Sequence, residues 1–359
     1  MKCRVCGKPA NISLKAYSMA LCSDDFTDFL EKRVLTTINK YSLINDNDKP
    51  VVAVSGGKDS LALWHIMNKL GFPADGIYVD LGIENYSDKS LLKIKKMADD
   101  LKRKVFIFRF RDMFGKGIEE LAKLLRRMPC SACGMVKRYV MNKVCMDQKY
   151  SVLMTGHNLD DEASALLGNV LYWKDEYLWK KDVLLEGSEG RLSKKAKPLF
   201  LCSEREMAAY AIINGIDYIY EECPFSVEAK SLLYKGILNK LEELSPATKI
   251  GFIKGYLRMT KKIKAIDRDM LHRQGSAGLS REDDSGGFQA YPGQTALDDP
   301  ALYDAKKGRE DSNCVVCGYP AYGEKCSMCR IMEKSGIEGP VHFEEYAPWN
   351  LDSSQGIMT

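Results

Sequence analysis

The chain of 359 residues predicts an α/β fold in which a parallel sheet is flanked by helices. Two observations indicate it: short apolar runs alternate with longer amphipathic stretches, and turn-forming residues separate them. The expected elements are strands at 51–54, 76–80, 105–110 and 151–155 and helices at 87–101, 118–127 and 158–171. Strands that alternate with helices build a parallel sheet, and ligands bind such sheets beyond the carboxyl ends of the strands.

The composition is typical of a globular protein, with 45% hydrophobic and 28% charged residues. The net charge of +4 is too small to indicate nucleic-acid binding by itself. The segment Met1-Lys2-Cys3-Arg4-Val5-Cys6 has no apolar signal core, and no apolar run is long enough to span a bilayer. We therefore expect a cytoplasmic protein without a membrane partner, whose twelve clustered cysteines serve metal or redox chemistry rather than disulfides.

The first cysteine cluster, Cys3-x-x-Cys6 followed by Cys22, has the spacing of a zinc knuckle. Two cysteines this close can reach one tetrahedral ion, and Cys22 with Asp25 can close the site. Carboxylates are rarer zinc ligands than Cys or His, so closure by another residue or by water, and an empty site, stay open. A segment this short cannot build its own core, so the metal would be structural. A helix is predicted after it, from 27 to about 41.

A glycine turn, Ser55-Gly56-Gly57-Lys58-Asp59-Ser60, follows the first core strand, Val51-Val52-Ala53-Val54. The glycines expose backbone N–H groups and the next helix adds partial positive charge at its start, so the turn suits a phosphate. The order differs from a Walker A loop and resembles the PP-loop of ATP pyrophosphatases. That resemblance implies cleavage of ATP between the α and β phosphates and adenylation of a substrate. The alternative is a turn that only joins strand to helix.

A second informative stretch, Gly156-His157-Asn158-Leu159-Asp160-Asp161-Glu162-Ala163, follows the fourth strand. Its glycine allows close approach of a nucleotide, and its carboxylates suit Mg²⁺, which prefers oxygen ligands. Ordinary helix capping would also explain Asn and Asp at these positions. The pairing with a PP-loop favours the nucleotide interpretation.

A second Cys-x-x-Cys, Cys130 and Cys133, precedes the fourth strand, and Cys223 comes much later. Three cysteines can hold three corners of a cubane cluster and leave one iron open. A zinc site, a redox disulfide between Cys130 and Cys133, and buried thiols without function are the alternatives, which spacing cannot separate. Cys145 and Cys202 match no ligand pattern and are predicted to be ordinary thiols.

Three segments are candidates for RNA contact. One contains aromatic residues among lysines, one is a predicted basic turn, and one is a helix with a basic face. They are Tyr172, Trp173, Tyr177 and Trp179; residues 194–198; and a helix at 252–266 with Lys254, Arg258, Lys261, Lys262, Lys264 and Arg268. A helix face packed on the core or exposed to solvent is the alternative in each helical case.

The C-terminal part contains Cys314-x-x-Cys317 and Cys326-x-x-Cys329, whose spacing predicts a four-thiolate zinc ribbon. The segment before it is rich in Gly, Ser, Asp and Pro, which is typical of a flexible linker or insertion. The expected division is a zinc knuckle at 1–26, a catalytic domain at 27–273, the linker at 274–312, the ribbon at 313–346 and a frayed tail at 347–359.

Taken together, these motifs resemble the TtcA/TtuA family of tRNA 2-thiolation enzymes. The resemblance is carried by the turn at 55–60, Cys130-x-x-Cys133 with Lys137-Arg138, the run at 156–163 and Cys223-Pro224. The flanking cysteine clusters are similar to the TtuA branch, which includes archaeal and eukaryotic wobble-uridine thiolases. Asp25 departs from the family pattern, which usually has His there.

The resemblance implies a PP-loop, adenine nucleotide alpha hydrolase-like fold with small zinc modules at both ends. It implies ATP, Mg²⁺, two Zn²⁺ and a 4Fe-4S cluster on Cys130, Cys133 and Cys223. Lys58, Asp59, Lys137 and Asp161 match nucleotide and catalytic positions. Expected partners are tRNA, a ubiquitin-like thiocarboxylated sulfur carrier and a second copy of the chain in a homodimer.

The function hypothesis is therefore a tRNA uridine 2-sulfurtransferase that adenylates O2 and then transfers sulfur to C2. Cys130, Cys223, Lys137, Asp59 and Asp161 are the expected catalytic residues, and either cluster-bound sulfide or a cysteine persulfide is the nucleophile. The nucleotide site is expected at residues 53–60, Lys137, Gly156 and Asp161. The alternatives are a PP-loop amidotransferase or lysidine synthetase-like enzyme, and a zinc-dependent RNA-binding adaptor without catalysis.

Overall fold

The computed structural model describes residues 1–188, 192–225, 230–274, 312–321, 323–337, 339 and 341–349. Its first part contains strands β1 (Ile12–Leu14), β2 (Met19–Leu21), β3 (Pro50–Val54), β4 (Asp75–Asp80), β5 (Val105–Arg109) and β6 (Val152–Thr155). The helices between them are α1 (Ser23–Lys40), α2 (Lys58–Lys69), α3 (Tyr86–Leu101), α4 (Phe110–Phe114), α5 (Ile118–Leu124) and α6 (Pro129–Asp147).

The second part begins with α7 (Leu159–Leu171), α8 (Asp175–Lys180), β7 (Leu184–Leu185), β8 (Lys194–Ala196) and α9 (Glu204–Ile213). It continues with the long helices α10 (Lys230–Leu244) and α11 (Thr248–Gln274). The C-terminal elements are β9 (Ser312–Asn313), β10 (Pro320–Ala321), α12 (Ser327–Lys334) and β11 (Glu344–Tyr346).

A seven-stranded sheet in the order β11-β5-β4-β3-β6-β8-β7 forms the centre of the protein. The five inner strands are parallel, and β11 and β7 are antiparallel edges. Val54 pairs with Tyr78 and Ala53 pairs with Thr155. The carboxyl ends of β3, β4 and β6 therefore lie side by side at the same end of the sheet. The predicted α/β fold with a parallel sheet is confirmed.

Side chains of β3 alternate between two hydrophobic cores, one on each face of the sheet. Val52 and Val54 pack in the core that contains Trp64 of α2, whereas Val51 packs in the core that contains Val136 of α6. Trp64 is fully buried, and its indole N–H donates to the Ala74 carbonyl over 2.8 Å. Burial on both faces explains why β3 is a continuous apolar run.

The prediction of a basic turn at 194–198 was wrong. Residues Lys194–Ala196 form β8, which pairs parallel with β6 and buries Ala196. Two lysines of this segment form ion pairs with carboxylates. Lys194 lies 3.4 Å from Asp48, and Lys197 lies 2.9 Å from Glu162. Three residues are too few to show an alternating pattern, and the partners that neutralise the lysines are distant in sequence.

The C-terminal chain returns to the sheet, which the sequence did not predict. Strand β11 pairs with β5, and Arg109 donates two hydrogen bonds of 3.3 Å to Glu344. Ala347, expected to begin a frayed tail, is 3% exposed. The predicted linker between residues 274 and 312 and the tail from residue 350 lie outside the described residues. No described helix combines the length and the apolarity that crossing a bilayer requires.

Candidate nucleotide and cysteine site

The PP-loop turn is held by its own serines. The Ser55 N–H donates to Ser60 Oγ over 3.0 Å, and Ser60 Oγ donates to the Gly57 carbonyl over 3.1 Å. Gly56 has φ +80, and a Cβ there would lie 2.9 Å from Ser90. Only glycine fits both the left-handed backbone and the contact with α3. The turn therefore leaves the N-terminus of α2 exposed at the carboxyl ends of the strands. Its backbone N–H groups can bind an anion there.

The second motif touches the first through Gly156 and Asn158. A Cβ on Gly156 would lie 2.9 Å from the Ser60 backbone nitrogen, so the absence of a side chain lets the two loops meet. Asn158 Oδ1 caps α7 by accepting the N–H groups of Asp160 and Asp161, and its amide donates to Asp59 over 3.2 Å. The Asn158 side chain therefore caps α7 and also connects the second motif to Asp59 of the PP-loop.

Five charged side chains converge beside the PP-loop. Lys58 Nζ lies 3.2 Å from Asp59 and 2.7 Å from Glu204 Oε1. Lys235 Nζ lies 2.6 Å from Asp161 and 3.3 Å from Glu204 Oε2. Sequence reasoning missed Glu204 and Lys235, because neither belongs to a recognisable motif. Glu204 opens α9 beside the capping pair Ser203 and Glu206, but a cap signal does not say what the helix end faces.

Burial and the neighbouring charges shift the pKa values of Asp59 and Lys58. Burial raises the pKa of Asp59. The nearby carboxylates of Asp161 and Glu204 raise it further, whereas the Lys58 ammonium lowers it. Burial alone would lower the pKa of Lys58, but Asp59 and Glu204 more than offset it, so the pKa of Lys58 is raised. Three crowded carboxylates and a bound phosphate can share one hard cation, and Mg²⁺ suits oxygen ligands of this kind.

A cavity of about 370 Å³ joins the nucleotide motifs to the cysteines. Ten of its lining residues were predicted from sequence: Ala53, Val54, Ser55, Asp59, Ser60, Cys133, Lys137, Gly156, Asp161 and Cys223. Cys130 lies next to them, with its thiol donating to the Phe225 carbonyl over 3.1 Å. Burial and then the nearby thiols Cys133 and Cys223 raise the pKa of Cys130, against Lys137. The structure thus brings residues from β3, α6, α7 and the loop before α10 to one cavity.

The three central cysteines are arranged differently from the terminal cysteine clusters. In the part of the chain that the structure describes, two groups of donors approach one another within 4.8 Å, and both are terminal. A zinc ion with sulfur ligands at about 2.3 Å places those sulfurs about 3.8 Å apart. Cys130, Cys133 and Cys223 are each half-buried and do not form such a group. They are therefore spaced more widely than the two terminal donor groups, and three such thiols could hold three corners of a multi-iron cluster.

The N-terminal donors meet at the base of the β1–β2 hairpin. One carboxylate oxygen of Asp25 lies 3.0 Å from the Cys3 sulfur and 3.1 Å from the Cys22 sulfur. The sulfurs of Cys6 and Cys22 are 3.7 Å apart. Cys22 is the N-cap of α1 and Asp25 lies in its first turn, so the helix start places both on the hairpin side. These four residues can hold one metal ion.

The C-terminal donors form a second compact group. The sulfurs of Cys317 and Cys326 are 3.7 Å apart, and the Cys329 N–H donates to the Cys326 sulfur over 3.4 Å. The ribbon attaches to α6, where the rings of Tyr139 and Tyr319 lie 4.8 Å apart. Helix α6 also carries Cys130, Cys133 and Lys137, so the ribbon supports the helix that brings them to the cavity.

The RNA candidates differ in accessibility. Trp173 is 79% exposed, Tyr172 50% and Trp179 43%. Lys254, Arg258, Lys261 and Lys262 are exposed on α11, whereas Lys264 is 3.5 Å from Asp182. Contact of these side chains with RNA stays a prediction.

Comparison with known proteins gives the family. A PP-loop domain model matches residues 27–224. The tRNA-5-methyluridine(54) 2-sulfurtransferase of Pyrococcus horikoshii is 36% identical over 344 residues, which are 96% of each chain. The chain belongs to the PP-loop family of tRNA 2-sulfurtransferases. The Thermotoga maritima enzyme with the same name is 37% identical and covers 93% of this chain and 97% of its own.

A solved member of this family has the same fold. The U34-tRNA thiolase NcsA from Methanococcus maripaludis, determined with its [4Fe-4S] cluster, is 30% identical, with a TM-score of 0.65. The match covers 73% of this chain and 88% of NcsA. The resemblance drawn from the motifs is therefore confirmed, and this PP-loop sulfurtransferase is a transferase rather than a non-catalytic adaptor.

Proposed function

We propose that this protein thiolates C2 of 5-methyluridine at position 54 of tRNA, using ATP. The observation that carries the proposal is that the PP-loop, Lys137 and Asp161 line the same cavity. Two of the three central cysteines, Cys133 and Cys223, line it as well. Position 54 is favoured because relatives named for it are 36% and 37% identical over more than nine-tenths of the chain. Uridine 34 is the second candidate, favoured by the likeness to NcsA at 30% identity.

The first step activates the uridine oxygen. O2 attacks the α-phosphorus of ATP, the bond from that phosphorus to the bridging β oxygen breaks, and pyrophosphate leaves. The N–H groups of the turn at 55–60 and the Lys58 ammonium lie where they can offset the charge on the leaving group. Asp59 and Asp161 line the cavity, and in this proposal they hold Mg²⁺ against the phosphates.

The second step replaces oxygen by sulfur. A sulfur nucleophile attacks C2, the C2–O2 bond breaks, and AMP leaves with O2. A 4Fe-4S cluster on Cys130, Cys133 and Cys223 would leave one iron free of protein ligands, and that iron can hold a sulfide. Lys137 lines the cavity and can offset negative charge on the AMP phosphate or at C2. The alternative is a persulfide on Cys130 or Cys223, charged by a sulfane-sulfur donor instead of a thiocarboxylate. Its outer sulfur attacks C2 and AMP leaves, and the thiolate of another of the three cysteines then breaks the S–S bond and forms a disulfide.

The remaining cofactors and partners follow the same proposal. We assign structural Zn²⁺ to each terminal donor group, since both have single-ion spacing. The knuckle at 1–26 and the ribbon at 313–346 then act as modules on the catalytic domain at 27–273. We expect a cytoplasmic homodimer that receives sulfur from a ubiquitin-like thiocarboxylated carrier and contacts tRNA through the exposed faces of α8 and α11.

The test measures metals and product on one anaerobic preparation. The protein and its Cys130→Ser variant are assayed for iron, sulfide and zinc, and for 2-thiolated nucleosides by mass spectrometry of tRNA. About four iron and four sulfide per chain, lost in the variant together with thiolation, support the cluster. Zinc without iron supports the persulfide, and turnover that ignores the cysteines supports another nucleophile. Product at position 34 instead of 54 replaces the substrate assignment.

A further inference from the structure

Lys235 lies beside the charged side chains of the PP-loop site, although the PP-loop motif does not contain it. Its side chain is 20% exposed and is held between Asp161 and Glu204. We propose that Lys235 is a second phosphate-binding lysine, which binds the pyrophosphate half of ATP together with Lys58. The inference rests on the proposed ATP-dependent function and adds a residue that stabilises the leaving group.

Glu204 lies between the two lysines. One carboxylate oxygen of Glu204 pairs with Lys58 over 2.7 Å, and the other pairs with Lys235 over 3.3 Å. An anionic group with two oxygens thus bridges the two ammonium groups beside the N-terminus of α2. A terminal phosphate offers the same pattern of oxygens and more negative charge. Glu204 therefore occupies the place between the lysines that a phosphate group would take.

Negative side chains outnumber positive ones at this site. The mouth of the site contains three carboxylates, Asp59, Asp161 and Glu204, and two lysines. A triphosphate adds negative charge to a region that is already negative, so Lys58 and one divalent ion leave it poorly compensated. Burial alone would lower the pKa of Lys235, but Asp161 and Glu204 more than offset it and raise the pKa. Lys235 consequently stays cationic at neutral pH.

The fold holds Lys235 in this position. Helix α10 packs closely on α7 because Gly168 has no side chain. A Cβ on Gly168 would lie 2.9 Å from the ring of Tyr234, the residue before Lys235. The backbone of Glu204 is fixed as well, since its N–H donates to Asp160 over 2.8 Å, and Asp160 forms a buried ion pair with Lys249.

The test separates phosphate binding from a purely structural ion pair. Calorimetry measures the affinity of the holoprotein for a non-hydrolysable α,β-methylene ATP, for pyrophosphate and for AMP. Lys235→Met should weaken the ATP analogue and pyrophosphate by about tenfold or more, because a charge-assisted hydrogen bond to each is lost. The affinity for AMP should change less than about twofold, because the proposal assigns Lys235 to the pyrophosphate half of ATP, which AMP lacks. Lys235→Arg should restore most of the affinity.

Two further variants guard against a folding defect. Lys240→Met removes an exposed lysine from the same helix and should match the wild type for all three ligands. Gly168→Ala displaces Tyr234 without changing charge, and it should weaken pyrophosphate while sparing AMP.

The possible outcomes are distinct. Equal losses for AMP and pyrophosphate in Lys235→Met, or none for either, overturn the inference while the proposed function stands. A wild-type protein that binds no ATP analogue overturns the proposed function and this inference together.

Discussion

The terminal cysteine clusters and the central cysteines differ in the spacing of their donor atoms and in the residues around them. Each terminal cluster gathers four donors within 4.8 Å, at a helix start or a tight turn. The central three are half-buried, spread more widely, and lie beside Lys137 and the PP-loop. Compact donor groups away from the cavity suit a metal that holds a small module together. Open thiols in a cavity suit a group that reacts.

The largest expected effect tests the central cysteines. Cys223→Ser should lower the thiolation rate by about 10³-fold or more, since it removes a ligand or nucleophile of the sulfur step. Affinity for an ATP analogue and the thermal midpoint should barely change, because Cys223 is not part of a hydrophobic core. Single-turnover thiolation and calorimetry measure the two effects.

Cys145→Ala is the matched control. Cys145 is fully buried and belongs to no donor group among the described residues, so its loss should cost stability and keep the activity of the folded fraction. If Cys223→Ser instead loses stability and ATP affinity together, the central cysteines are structural and the contrast with the terminal clusters fails.

The second prediction concerns the ribbon. Cys326→Ser should release one zinc per chain and unfold the ribbon locally, because so small a module has little core without its ion. Hydrogen exchange at 312–321 and 323–337 should approach that of an unfolded chain, while β3 stays protected. The thiolation rate should fall less than in Cys223→Ser. The loss should come only from α6, which no longer has the contact between Tyr139 and Tyr319. Unchanged exchange in the ribbon would show that packing, not metal, maintains it.

A buried carboxylate between two lysines stabilises the catalytic domain independently of the cysteines. Glu162 is 5% exposed and pairs with Lys181 over 2.6 Å and Lys197 over 2.9 Å. Burial alone would raise its pKa, but Lys197 and Lys181 outweigh burial and lower the pKa of Glu162 to about 2. Because the folded pKa lies below the unfolded value, the stabilisation is complete above about pH 4.5 and is lost as pH falls towards 2.

Glu162→Gln should therefore reduce the free energy of unfolding by about 3 kcal/mol at pH 7, with a smaller difference at pH 3. Urea titrations at both pH values measure it. The exposed pair of Glu119 and Lys123, 2.9 Å apart, provides the control, and Glu119→Gln should cost less than about 0.5 kcal/mol. A pH-independent difference for Glu162→Gln would mean that packing rather than charge explains the loss.

The smallest expected effect concerns Asp25. Asp25→Asn should weaken zinc at the knuckle by roughly tenfold, because a neutral amide oxygen replaces the carboxylate that faces Cys3 and Cys22. Asp25→Cys should keep or tighten the site, since it supplies a fourth thiolate. Competition with a chromogenic chelator measures both affinities. Equal affinity in Asp25→Asn would show that the fourth ligand lies elsewhere.

Much of the site could be predicted because its parts are local. The turn at 55–60 and each Cys-x-x-Cys pair lie within a few residues, and backbone geometry alone fixes what such short segments present. The strands at β3, β4 and β6 were predictable for a related reason, since burial on both faces makes them continuous apolar runs. Strand β8 was missed because its three residues, two of them lysines, have no pattern of their own and depend on β6 for pairing.

The sequence by itself determined the PP-loop turn, the donor groups at both ends and the family, because each is recognised from spacing along short segments. Only the tertiary structure decided that Glu204 faces Lys58, that Lys235 faces Asp161, and that β11 returns to β5. Those contacts join residues far apart in the chain. Their geometry comes from how helices pack on a twisted sheet, and no local pattern carries that information.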